Sequence, residues 1–185
     1  MRTIRYFAAS ERINYGDLLF PIIFNHYFKD HFEIHNYGLI DSDNGFFGAL
    51  PTKSYKQFLR DIDRSNDVMV VGGGHVLCSS WDGLLTYINP AYQLLYKSFL
   101  MQIPILRSLV RRVNIASYLL SDKYSHSPYI PDLSIRVCYI SVGGKIPNIK
   151  NRNEHSRIIK VLNKSISLSV RDNKTKSKLY EHNIK

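Results

Sequence analysis

Short apolar runs alternate with amphipathic segments along most of the chain. Strand-like runs occupy residues 3–9, 32–38, 67–74, 136–144 and 165–170. Segments with a helical period lie at residues 18–28, 53–63, 154–164 and 173–183. Strands that alternate with helices are typical of parallel β-α-β units. The pattern therefore predicts an α/β fold built on a parallel sheet.

The most apolar runs predict the interior of that sheet. Strands at 68–71, 137–142 and 166–170 are expected to be internal, because helices on both faces bury such runs completely. Residues 90–135 do not follow the alternation. The stretch 89–120 predicts two helices that are interrupted near Pro104.

Composition narrows the class of protein. Apolar residues make up 44% and charged residues 22%, so global disorder is excluded. The 185 residues are enough for a single domain, 1–185, with its own core. Cys78 and Cys138 lie in apolar or small-residue stretches, and we expect two reduced, buried thiols. No CxxC pair occurs, and we predict no metal site.

Positive charge is concentrated in the second half. The net charge is −2 over residues 1–96, +4 over 97–144 and +8 over 145–185, which sums to +10. Such a field suggests an anionic small molecule or lipid surface, or else only a solvated lysine-rich surface. We expect no nucleic-acid partner, because no recognised binding module is present.

Targeting signals are not evident, and the sequence predicts a cytoplasmic protein. Residues 99–120 mix large apolar side chains with Arg107, Arg111 and Arg112. One hypothesis places this stretch on an anionic bilayer, at the inner face of the membrane. The alternative is a pair of core helices whose arginines are solvated.

The loop after the first strand is the first candidate for a binding site. Gly16 is expected to let the backbone turn sharply towards a ligand. Asp17 is expected to cap the following helix, while Asn14 reaches into a cleft. The alternative is an ordinary turn and cap with no ligand.

Two glycine-rich strand ends form the next candidates. Gly73 and Gly74 follow a buried strand and are expected to expose backbone N–H groups to an anion, with His75 as a proton donor or phosphate ligand. Gly143 and Gly144 end a later strand. The alternatives are a loop histidine without chemistry and a tight turn.

Arg171 lies where the last strand ends and a helix begins. Its planar fork of donors suits a carboxylate or phosphate, and the helix N-terminus favours an anion. Asp172 has the chemistry of an N-cap, with Thr175 three residues later. In the alternative interpretation, Arg171 only clamps Asp172 or another carboxylate.

Taken in order, the stretches NYGDLL, VMVVGGGH, YISVGG and SLSVRDNKTKSKL resemble the polysaccharide pyruvyl transferase family. The resemblance covers the family's amino-terminal half. It implies a Rossmann-like domain with helices on both faces, one half of a glycosyltransferase-B-like two-domain architecture. It also implies transfer of a pyruvyl ketal group from phosphoenolpyruvate to a saccharide of a bacterial surface polysaccharide, or to its lipid-linked precursor.

The resemblance makes Arg171 the expected donor-binding residue, supported by Asn14, Gly16, Asp17 and the glycine-rich strand ends. No cofactor beyond the donor substrate is implied. The catalytic acid and base stay unassigned; His75 is a candidate that matches no catalytic position of the family.

The chain departs from the family because the expected second domain is absent, so a missing domain or a homo-oligomer would have to complete the cleft. Two other classes stay open: a glycosyltransferase-B-like half that uses a sugar nucleotide, and a non-catalytic interaction module.

Overall fold

In the computed structural model, five parallel strands form one sheet. The structure describes residues 2–9, 14–98, 102–106, 108–109, 127–131, 134–146 and 152–184. The strands are β1 (Arg2–Phe7), β2 (Phe32–Tyr37), β3 (Val68–Gly72), β4 (Val137–Val142) and β5 (Ser167–Val170). Their order is β2-β1-β3-β4-β5, and every neighbouring pair is parallel. The predicted α/β fold is confirmed.

The helices follow the strands much as the sequence predicts. They are α1 (Tyr15–Phe28), α2 (Tyr55–Asp61), α3 (Trp81–Ile88), α4 (Pro90–Lys97), α5 (Arg152–Asn163) and α6 (Asn173–Glu181). Helix α1 begins three residues before the predicted start and continues past Pro21. Helix α3 was not predicted, because the polar residues that precede it resemble a loop.

Apolar side chains cover both faces of the sheet. On one face, Phe24 of α1 stacks on Tyr6 of β1, with ring centroids 4.6 Å apart. On the other face, Phe7 of β1 meets Tyr55 and Phe58 of α2 at 5.4 and 6.0 Å. These pairs anchor helices on opposite faces, as the Rossmann-like prediction requires.

One predicted internal strand is an edge strand. Among the described residues, β5 ends the sheet beside β4, and Ser167 and Ser169 are exposed. Its sequence alternates serine with apolar residues, and only Leu168 and Val170 pack towards the core. This period of two fits a half-solvated edge, so the prediction of an internal strand at 166–170 is wrong.

Strand β4 contains a β-bulge that changes the face towards which its last side chains point. Tyr139 pairs with Leu168 and Val142 pairs with Val170, so β4 carries an extra residue between the two pairs. Ser141 takes up the irregularity with a φ of 54°. A bulge turns the side chains that follow it, and Tyr139 and Val142 are consequently both buried in the same cluster.

Membrane contacts were predicted for residues 99–120. Residues 99–101, 107 and 110–120 lie outside the described residues, so that hypothesis stays a prediction. Among the helices that are described, none is long and apolar enough to cross a bilayer.

A buried polar cluster ties the strands together near α2. Arg5 Nε lies 2.8 Å from Asp67 Oδ2, and its Nη1 donates to the Tyr37 hydroxyl at 2.8 Å. The Tyr37 hydroxyl donates to Asp61 at 2.9 Å. Burial, and next the bond to Asp61, raise the pKa of Tyr37 to about 12, so it stays a neutral donor.

We predict that Arg5→Met lowers the free energy of unfolding by roughly 3–5 kcal/mol, because it leaves the Asp67 carboxylate buried without its partner. Urea unfolding measures the change. The double variant Arg5→Met/Asp67→Asn should be more stable than Arg5→Met alone, since no buried charge is left. Equal stability of the single and double variants would show that the ion pair is not the cause.

Candidate functional site

The predicted site residues meet at the carboxyl edge of the sheet. In a doubly wound sheet of this strand order, ligands bind outside the carboxyl ends where the order reverses, which here lies between β1 and β3. The loop of Asn14–Asp17 follows β1, and the loop of Gly73–His75 follows β3. The ends of β4 and β5 continue the same edge with Gly143 and Arg171.

Backbone hydrogen bonds join the loops after β3 and β4. Gly73 N–H donates to the Ile140 carbonyl at 2.9 Å, and Gly143 N–H donates to the Gly74 carbonyl at 2.8 Å. Leu77 N–H then donates to the Gly143 carbonyl at 3.1 Å. The Gly73 N–H is therefore not available to a ligand, and the predicted anion nest is smaller than expected.

Close packing explains the glycines at two positions. Gly73 has a φ of 69°, and a Cβ there would overlap the ring of Phe20 on α1. A Cβ at Gly143 would lie 2.7 Å from Arg171 Nε. The absence of a side chain at Gly143 therefore lets the arginine lie directly over the backbone.

Arg171 is held at the strand end but stays accessible. Its backbone N–H donates to the Val142 carbonyl at 3.1 Å, and 41% of its side chain is exposed. Its Nε is 3.4 Å from Asp172 Oδ2, a long and solvated pair that contributes little stability. The Asp172 clamp exists, but it engages only Nε of the guanidinium.

His75 contacts Arg171 across the edge. Arg171 Nη2 hydrogen-bonds His75 Nε2. A guanidinium can only donate, so Nε2 is the acceptor in this contact. The His75 ring is exposed, and its carbonyl accepts from Cys78 Sγ at 3.2 Å. Two groups from separate loops thus converge on one accessible position.

The N-cap of α6 is formed as predicted. Asp172 Oδ1 accepts from the Thr175 N–H at 2.7 Å. That bond, together with the nearby Arg171, holds the pKa of Asp172 below its usual range. Thr175 is buried, and its hydroxyl accepts from the Gly144 N–H at 3.2 Å. Helix α6 is therefore fixed to the end of β4, which steadies Arg171.

The roles of Asn14 and Asp17 differ from the prediction. Asn14, not Asp17, is the N-cap of α1, and its Oδ1 accepts from the Gly16 N–H at 3.3 Å. Its Nδ2 donates to Asp17 Oδ2 at 2.9 Å. Gly16 lies in the first turn of α1 and does not make the predicted sharp turn. The asparagine reaches the helix backbone first because it directly precedes the helix.

Asp17 links this loop to the rest of the edge. A Cβ placed on Gly74 would lie 3.0 Å from Asp17 Oδ1, so the carboxylate approaches the loop after β3 closely. Asn14 and Asp17 thus border the same edge as His75 and Arg171. The contact that Arg171 makes across the edge is with His75.

Other features of the edge were not foreseen. Cys78 is exposed, and the prediction of a buried thiol there is wrong; Cys138 is half-buried, and burial raises the pKa of its thiol. A groove of about 400 Å³ borders the outer side of β5 and α6. Among the predicted site residues only Arg171 lines it, together with Asp172, Lys176 and Tyr180. In the described ranges, no three potential metal ligands converge.

Comparisons of the chain with protein-family models, curated proteins and solved structures found no match. The site is therefore interpreted from its own geometry and from the resemblance of its motifs.

We predict that Gly73→Ala destabilises the fold by more than about 1 kcal/mol, because of its positive φ and the overlap with Phe20. Gly16→Ala is the matched control: its Cβ would meet only Asn14 Oδ1 at 3.8 Å, and alanine favours the helix by about 0.5–1 kcal/mol. Thermal unfolding compares the two. A Gly73→Ala variant as stable as Gly16→Ala would contradict the packing described.

Asp172 gives a pH-dependent prediction. Its folded-state pKa is lowered, so its stabilisation is present above the unfolded-state value of about 3.9 and is lost as the pH falls through the folded-state value. We expect Asp172→Ala to be less stable than wild type at neutral pH and to differ less at about pH 3. Asp172→Asn should keep the cap at both pH values. Urea unfolding at each pH checks this; a difference that is independent of pH would exclude the charged cap.

Proposed function

We propose that the carboxyl edge binds phosphoenolpyruvate and that the chain forms the donor-binding half of a ketal-forming pyruvyl transferase. The observation that carries the proposal is that Arg171 lies over Gly143 and contacts His75. The order of the four motifs, which resembles the pyruvyl transferases, supports the choice of donor.

The chemistry of the ligand fits the groups present. Phosphoenolpyruvate carries a carboxylate beside a phosphate, and arginine binds either group through two parallel N–H bonds. When an anion approaches, it competes with His75 for the guanidinium.

The proposed reaction determines which chemical groups the carboxyl edge must supply. Two sugar hydroxyls add to C2 of the enolpyruvyl group and form two C–O bonds, while the C–O bond to phosphate breaks. One hydroxyl proton goes to the methylene carbon, which becomes a methyl group, and the other leaves with phosphate. His75 is our candidate for the acid, since it is the titratable group in contact with Arg171. The acceptor would be a saccharide or a lipid-linked saccharide.

The alternative functions predict different ligands. A sugar-nucleotide half would favour a nucleoside diphosphate, although the loop after β3 lacks the GxGxxG pattern and its Gly73 N–H is already bonded. A non-catalytic module would bind neither ligand. Competition between phosphoenolpyruvate, a nucleoside diphosphate and inorganic phosphate separates the three.

We predict that Arg171→Lys weakens phosphoenolpyruvate binding by about 10- to 100-fold, because the charge is kept but the planar fork is lost. Calorimetric titration of the chain measures the dissociation constant. Arg60→Lys, at an exposed arginine of α2, is the matched control and should bind like wild type.

Thermal unfolding of the same variants tests the competing structural role. If Arg171→Lys unfolds the domain, or binds phosphoenolpyruvate as wild type does, the assignment is wrong. If the wild-type chain prefers a nucleoside diphosphate, the sugar-nucleotide alternative replaces it.

A further inference from the structure

A segment closed by hydrogen bonds connects β2 and α2. We define this aromatic finger as residues 41–52. Its two sides are joined by Ser42 and Thr52, whose backbone N–H groups each donate to the other's carbonyl, at 3.0 and 2.9 Å. Their hydroxyls also share a hydrogen bond of 2.7 Å. Thr52 is buried, so the base of the finger is fixed to the domain.

Two phenylalanines occupy the tip. A short 3₁₀ turn, Gly45–Phe47, places Phe46 with 95% of its surface exposed and Phe47 with 50% exposed. The two rings lie edge to face with centroids 5.2 Å apart. Single exposed apolar residues are common, but adjacent phenylalanines held outward at the end of a fixed protrusion need an explanation.

Four backbone N–H groups of the finger are already hydrogen-bonded within it. Phe47 and Ala49 N–H groups both donate to the Asn44 carbonyl, at 2.9 and 3.2 Å. Gly48 N–H donates to the Gly45 carbonyl at 2.9 Å, and Gly45 N–H donates to Asp43 at 3.1 Å. A segment that leaves water for lipid must satisfy its backbone groups internally, and these four N–H groups meet that condition.

From these observations we propose that Phe46 and Phe47 insert into the interface of a lipid bilayer. A protein partner fits less well: a specific interface buries roughly 800 Å² per partner, while two phenylalanine side chains bury at most about 500 Å². The exposed flanking positions, Gly45 and Gly48, add little apolar surface. A bilayer requires only that the rings reach below the headgroups.

Charge identifies the kind of lipid. Residues 41–52 contain Asp41 and Asp43 and neither lysine nor arginine. The finger is therefore not drawn to anionic headgroups, and its binding should not require anionic lipid. This distinguishes it from residues 99–120, whose arginines predict binding that depends on anionic lipid.

The position of the finger determines which edge would face the lipid. It follows β2, so it extends from the same carboxyl edge that carries His75 and Arg171. Insertion would turn that edge towards the bilayer. The inference does not rest on the proposed transferase function, because lipid binding is measured without donor or acceptor.

Vesicle co-sedimentation tests the proposal with the full chain. Wild-type protein should sediment with vesicles of pure phosphatidylcholine. Phe46→Ser/Phe47→Ser should weaken that partitioning by at least about tenfold, since two apolar rings no longer leave water. The matched control is Tyr27→Ser/Tyr180→Ser, which removes two exposed aromatic rings from α1 and α6 and should bind like wild type.

A fluorescent reporter gives a second measurement. Trp81 is the only tryptophan of the chain and is 3% exposed, so its emission should not respond to lipid. Phe46→Trp should add an emission that shifts to shorter wavelength when phosphatidylcholine vesicles are added, and that an aqueous quencher then reaches poorly.

Four results would overturn the proposal. The first is an equal amount of wild-type protein in the pellet with and without vesicles, and the second is sedimentation with anionic vesicles only. The third is an equal loss of vesicle binding in the finger and control variants. The fourth is self-association of the wild-type chain without lipid that Phe46→Ser/Phe47→Ser abolishes. The last would assign the tip to a second copy of the chain. Thermal unfolding should be unchanged in the single variant Phe46→Ser, because Phe46 is 95% exposed, whereas half of Phe47 is buried.

Discussion

Backbone hydrogen bonds from the loop after β3 to the end of β4 and the loop that follows it hold the carboxyl edge of the sheet in place. They join Gly73 to Ile140 and Gly74 to Gly143, and they require the two loops to approach more closely than larger side chains allow. Arg171 lies on the surface that these loops form. If the loops separated, the arginine would lose both Gly143 beneath it and His75 beside it. The proposed anion site is therefore a consequence of backbone packing.

The charged groups at the edge hold the Arg171 guanidinium in place and still leave it accessible to a ligand. Asp172 caps α6 with one oxygen and faces Arg171 with the other, but the second contact is long and solvated. Asp172 can therefore orient the guanidinium without neutralising it in a buried pair. His75 accepts from the same guanidinium and can be displaced by a stronger acceptor. A carboxylate or phosphate is such an acceptor, because it is an anion and can accept two parallel N–H bonds from the guanidinium, whereas the imidazole accepts one.

Much of the fold follows from local patterns. The strands around Val70 and Tyr139 are apolar runs between turn residues, and the Asp172 cap follows from an aspartate three residues before a backbone donor. Parallel strands bring their carboxyl ends to one edge, so the meeting of the glycine loops with Arg171 was also predictable. These features depend on neighbouring residues or on topology alone.

The remaining features depend on contacts that the sequence does not encode locally. The bulge at Ser141 occurs inside a near-continuous apolar run, and its pairing with β5 makes it visible. Asn14 replaces Asp17 as the cap because α1 begins earlier than its apolar residues suggest. The exposure of Cys78 follows from the short 3₁₀ turn after His75, which turns the thiol outward. The second domain and the transferase activity stay predictions.

The most direct test is to map which residues of the chain respond when phosphoenolpyruvate is added in solution. Amide and side-chain resonances in a ¹H–¹⁵N spectrum can be followed while the ligand is added. We expect the largest shifts at Gly143, Gly144, His75 and the Arg171 Nε, whereas the resonances of Gly45 and Gly48 at the finger tip should not change. Shifts spread over the surface lysines of α5 and α6, with none at His75 and Arg171, would contradict it.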